Sequence, residues 1–140
     1  MIPDTDVHLQ ALADAARTAS RRAYCPYSRF PVGAALLTND GKVFAGCNVE
    51  NASLALTICA ERNAIFQAVA AGHPGISAIV IYTPTEIPTA PCGACRQVLS
   101  ELGPDALVVA ICDGPGTLKM TIGDLLPAAF GRNNLQSTVR

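Results

Sequence analysis

The stretch VGAALLTNDGKVFAGCN, residues 32 to 48, decides the architecture. Two apolar runs, VGAALLT and KVFAGCN, flank Asn39-Asp40-Gly41, a tight-turn signal of the kind that closes a β-hairpin. Downstream the pattern changes to alternation. Residues 58–71 read as a helix stopped by Gly72, 76–83 as a strand, 93–102 as a shorter helix stopped by Gly103, and ALVVAIC (106–112) as a buried strand. TLKM (117–120) reads as a short edge strand and IGDLLPAAF (122–130) as a final helical segment. Upstream, residues 5–22 carry Val7, Leu12, Ala15, Ala16 and Ala19 at helical spacing, and YCPYSRFP ends that helix with two prolines. A hairpin followed by alternating helix and strand predicts an α/β fold, a three-layer α/β/α sandwich with a mixed central β-sheet.

With 140 residues, no repeat and no linker, the chain reads as one domain over 1–140. Hydrophobic residues make up 50% and charged residues only 15%, more apolar surface than a small monomer hides, which predicts a homo-oligomer. Ten Lys and Arg against eleven Asp and Glu give a net charge of -1, which argues against a nucleic-acid polymer as partner. The local basic cluster of Arg17, Arg21 and Arg22 reads as a solvated helix end. The opening MIPDTDVHLQ has neither a basic start nor an apolar run, so no secretory signal is expected, and ALVVAIC is too short to span a bilayer. The expectation is a soluble cytoplasmic protein without a membrane partner. Its six cysteines are then thiols or metal ligands rather than disulfides.

The chemistry concentrates in PCGACRQVL (91–99) and TICAERNAIF (57–66). Cys92 and Cys95, three apart at a helix start, share a face and sit near helix amides that favour the thiolate. A CxxC pair alone also suits a redox disulfide or a four-cysteine zinc knuckle. The first would want the motif directly after the first strand of a βαβ unit; the second would want another close pair, whereas Cys25, Cys47 and Cys112 are solitary and read as packing residues. Cys59 alone repeats the helix-start placement, and Glu61 comes with it. Cys59, Cys92 and Cys95 would hold one zinc ion and leave its fourth position open to water, the mark of a catalytic site. Glu61, two residues from Cys59, diverges from it on the helix and is placed to move a proton as general acid and base, a role worth roughly 10² to 10⁴ in rate. His8 and His73 have no partner nearby in sequence and read as exposed residues, not ligands.

A Cys, any residue, then Glu at one helix start and Pro-Cys-x-x-Cys at the next form the signature of zinc-dependent nucleoside and nucleobase deaminases. Together with CPYSRFPVGAAL, GCNVENAS, PCGACRQVLSELG and LLPAAFG, covering about residues 24 to 131, the chain resembles the small homotetrameric cytidine deaminases. The resemblance implies one Zn²⁺ per subunit and hydrolytic conversion of cytidine and 2′-deoxycytidine to uridine and 2′-deoxyuridine with release of ammonia, a step of pyrimidine salvage. It implies that Phe30 packs on the pyrimidine, that Asn48 and Glu50 bond the ribose hydroxyls, and that the backbone at Ala60 meets the ring. Arg62 would donate to the zinc sulfurs, offsetting the net negative charge of three thiolates. Phe130 would enter the site of a neighbouring subunit. Leu54 departs from the pattern: relatives commonly carry tyrosine there, in a region adjoining the subunit interface. The main alternative is deamination of another small cytosine-containing molecule such as blasticidin S, whose deaminases lack the Asn-Val-Glu-Asn string of residues 48–51. An editor of RNA or DNA is disfavoured by the charge, and a non-catalytic zinc-stabilised binding module by Glu61.

Overall fold

The computed structural model describes residues 5–136. The hairpin forms as its sequence predicts: β1 (Gly33–Thr38) and β2 (Val43–Cys47) pair antiparallel, with Leu37 opposite Val43 and Gly33 opposite Cys47. Gly41 takes φ +85°, the left-handed conformation that lets the chain reverse after Asp40. The sheet continues with β3 (Ile76–Tyr82), β4 (Leu107–Ile111) and β5 (Thr117–Thr121), in spatial order β2-β1-β3-β4-β5. β1 and β3 are antiparallel, β3 and β4 parallel, and β4 and β5 antiparallel. The mixed sheet is thereby established.

Helices cover both faces because the inner strands are apolar on both. Every residue of β1 is buried, with alternate residues facing opposite layers. Ala35 and Leu37 join Leu12 and Ala16 of α1 (Thr5–Ser20), together with Ala78, Val80 and Tyr82. Ala34 and Leu36 face the other layer, where they meet Ala64, Ile65 and Ala68 of α2 (Ala60–Ala70) and Leu99 of α3 (Gly93–Leu102). The close approach of α2 to β2 needs Gly46, since a Cβ there would lie 2.6 Å from Ala64 N and 2.8 Å from Ala60 O.

β2 is an edge strand, and two of its three outward carbonyls are covered. Thr38 N donates to Lys42 O, so the carbonyls of residues 43, 45 and 47 face away from β1. Gln67 Nε2 donates to Ala45 O at 2.9 Å and Asn63 Nδ2 to Cys47 O at 2.7 Å.

The C-terminal part differs from the sequence expectation. The segment 122–130 is not one helix: α4 (Ile122–Leu125) is a single turn opened by a capping box between Thr121 and Asp124. Pro127 follows, Ala128 takes φ +53°, and a separate helix α5 (Arg132–Gln136) begins later. Pro127 cannot supply the amide that the next helical turn needs. A 3₁₀ turn, Leu54–Leu56, also precedes α2, with Leu54 at 70% exposure.

Candidate active site

The topology explains why cysteines far apart in sequence converge. β2, β3 and β4 run in one direction, since β1 is antiparallel to both β2 and β3, and β3 is parallel to β4. The chain leaves the carboxyl end of β2 to enter α2 and the carboxyl end of β3 to enter α3. Both helix N-termini therefore sit at one end of the sheet, where open α/β sheets place their ligands. Cys59 is the N-cap of α2 and Cys92 the N-cap of α3, each extended (φ -69°, ψ 157° and φ -67°, ψ 167°) and neither using its thiol to cap its helix. The sulfurs stay available, beside amide ends that favour anions.

Sγ of Cys59, Cys92 and Cys95 all lie within 4.8 Å of one another, and Cys59 and Cys92 are 3.7 Å apart. A tetrahedral ion with Zn–S bonds of about 2.3 Å separates its sulfur ligands by about 3.8 Å, so the donor set fits zinc. Cys95 is buried and Cys92 exposed, which leaves one side of the cluster open. Arg62 Nη2 donates to Cys59 Sγ at 3.5 Å. Cys59 is pulled down to about 5, first by its hydrogen bond with Cys95 and then by Arg62 and Cys92. Cys95 is pushed up by that same pairing, by burial and by the charge of Glu61.

Glu61, 4% exposed, lies in the first turn of α2, and burial raises its carboxyl to about 7. It faces a cavity of about 380 Å³, also lined by Cys59, Ala60, Cys92, Phe30, Asn48 and Glu50. Asn48 holds the Phe30 loop: its Oδ1 accepts from Val32 N at 2.8 Å and its Nδ2 donates to Phe30 O at 2.9 Å. Glu50 accepts from the amides of Tyr27 and Ser28, both at 3.0 Å, and from the Ser28 hydroxyl; that hydroxyl and those amides hold its carboxyl below the usual range. A larger hollow of about 590 Å³ between α1, β2 and α2 is lined by none of the cluster cysteines and not by Glu61. The chemistry belongs to the smaller one.

Phe130 does not line this cavity; it is 59% exposed, and Gln97 Nε2 holds its carbonyl at 2.8 Å. Ser28, Thr57, Ile81, Thr89 and Ala90 line the cavity without having been singled out from sequence. Ser28 sits in CPYSRFP, where the prolines drew attention to the break rather than to the hydroxyl. His73 corrects its sequence reading, because it is partly buried and bonds Asp40 through Nδ1 at 2.6 Å. His8 is likewise partly buried, with Nδ1 enclosed. Among the described residues, Cys59, Cys92 and Cys95 form the one cluster of three or more His, Cys, Asp or Glu ligands.

Residues 7–111 match the family described as the cytidine and deoxycytidylate deaminase zinc-binding region. This chain belongs to that deaminase family. A crystal structure of cytidine deaminase from Burkholderia pseudomallei is 55% identical, superposes with a TM-score of 0.83, and is covered over 98% of its length by 86% of this chain. Among curated proteins, the cytidine deaminase of Halalkalibacterium halodurans is 48% identical over 86% of this chain and 92% of that protein. That of Sporosarcina psychrophila is 42% identical over 91% of this chain and 94% of that protein. The deaminase fold is thus matched over most of the chain, and the three sulfurs that could hold a metal ion lie within the matched residues.

Proposed function

We propose that this chain is a zinc-dependent cytidine deaminase that hydrolyses cytidine and 2′-deoxycytidine to uridine and 2′-deoxyuridine with release of ammonia. The observation that carries this is one cavity lined by Cys59 and Cys92 of the three-sulfur cluster, by the buried Glu61, and by Asn48 and Glu50. When bound, zinc supplies a Lewis acid that makes water nucleophilic near neutral pH. Cys59, Cys92 and Cys95 hold it. Glu61, with a carboxyl near 7, accepts the proton of the attacking water and passes protons to the ring nitrogen and the departing amine. Water adds to the amino-bearing ring carbon, the carbon–nitrogen bond breaks, and the oxygen stays on the ring.

Phe30 packs on the pyrimidine, the Ala60 backbone meets its edge, and Asn48 and Glu50 bond the ribose diol. Asn48 keeps one amide hydrogen and Glu50 keeps acceptor capacity beyond their bonds within the chain. Arg62 stabilises the thiolates from behind. This sugar-binding pair favours a nucleoside over blasticidin S as substrate. The working form is a homotetramer in which Phe130 completes a neighbouring subunit's pocket; the exposure of Phe66, Val69 and Phe130 supports an assembly of this kind. Six free thiols suit the reducing cytoplasm, where the reaction serves pyrimidine salvage.

The test measures zinc content and ultraviolet loss of cytidine in parallel for the parent and Glu61→Ala. Retained zinc with turnover reduced by about 10² or more is expected. Unchanged turnover would remove Glu61 from the scheme.

A further inference from the structure

The geometry around Cys92 points to Arg96 as a positioning residue for the metal centre, an inference that rests on the zinc reading above. A thiol's direction depends on the dihedrals of its own residue, and those are fixed when the peptide groups on both sides are held. At Cys59 this is done by main chain alone: Val49 N donates to Ile58 O at 3.0 Å and Asn63 N to Cys59 O at 3.1 Å. At Cys92 the preceding carbonyl belongs to Pro91, in a loop away from any strand partner. One residue holds both flanking groups there. Arg96 Nε donates to Pro91 O at 2.7 Å, and Arg96 N donates to Cys92 O at 3.0 Å.

The guanidinium is itself anchored. Arg96 Nη1 donates to Leu125 O at 2.9 Å, the last residue of α4, where the carbonyl end of a helix favours a cation. Arg96 therefore links the Pro91–Cys92 turn to α4 through a planar group whose donors have fixed relative directions. A lysine can reach only one of the two carbonyls. Arg62 differs, because it touches a sulfur directly. Arg96 acts through the backbone of a ligand, setting the direction from which Cys92 Sγ meets its two partners.

The experiment compares the parent protein, Arg96→Gln and Arg96→Lys by competition for zinc with a chromophoric chelator and by the absorption spectrum of the Co²⁺-substituted protein. Arg96→Gln is expected to weaken zinc binding about 10- to 100-fold and to alter the Co²⁺ spectrum, with Arg96→Lys in between. A merely structural role would lower the melting temperature of the metal-free protein and leave the affinity and spectrum of the folded fraction unchanged. Parent-like affinity and spectrum in Arg96→Gln overturn the inference; if that variant does not fold, the same result in Arg96→Lys does so. A parent that takes up no zinc overturns the metal reading itself, an outcome distinguishable from the first.

Discussion

Asn48 holds Phe30 by the main chain on either side of Pro31, accepting from Val32 N and donating to Phe30 O. Asn48 is 7% exposed, and removing its side chain takes the partner from both the amide and the carbonyl. Asn48→Ala should cost about 1–3 kcal/mol per stranded group and raise KM for cytidine more than it lowers kcat. Thermal melting and steady-state kinetics check both parts. Unchanged melting would mean that the loop is held without the amide.

Glu50 should make the protein acid-sensitive. Its carboxyl is held below the ordinary 4.5 by the Ser28 hydroxyl and by the amides of Ser28 and Tyr27. Above pH 4.5 the group is charged folded and unfolded, and its stabilisation is fully present. As pH falls, the unfolded chain takes up the proton first, so stability drops until the folded carboxyl protonates as well. In Glu50→Gln this acid limb should be flatter. Urea midpoints measured between pH 6 and pH 3 would show it, and parallel slopes would contradict it.

Gly46 sets how closely α2 approaches the sheet, and with it the start of the helix that bears Cys59 and Glu61. The contacts a Cβ would make are with backbone, which cannot swing aside. Gly46→Ala should destabilise the fold by about 1–3 kcal/mol and loosen zinc at the same time. Melting and metal content in the same preparation test the coupling.

Removing zinc should change which thiols react. In the proposed zinc-loaded form Cys59, Cys92 and Cys95 would be engaged as ligands, and Cys112 is buried with its sulfur near the carbonyls of Glu86, Gly114 and Gly116. After chelation, iodoacetamide should modify Cys59 and Cys92 early, since Cys95 and Arg62 beside Cys59 favour its thiolate and Cys92 is exposed, and should spare Cys112. Mass spectrometry of peptides taken over time gives the order.

Much of this was legible in residues whose meaning is local. Asn39-Asp40-Gly41 marks its turn through a backbone demand that glycine meets, and the helix starts at Cys59 and Cys92 follow from the change of pattern around them. The break after α4 was misread because IGDLL continues a helical pattern and Pro127 appears only after it. The His73–Asp40 bond joins the hairpin turn to the end of α2, 33 residues away, and no spacing rule foresees such a pair. The reach of Arg96 is equally invisible to spacing: its partners are carbonyls, and every residue type has one.

The covered rim of β2 has a consequence for how copies of this chain can meet. A foreign strand arriving alongside residues 43–47 would find Ala45 O and Cys47 O already engaged by Gln67 and Asn63, and would have to displace both amides to lengthen the ladder. Open-ended stacking into fibrils is discouraged at that border. Any association of copies is left to side-chain contacts, which can close on themselves and stop at a finite number.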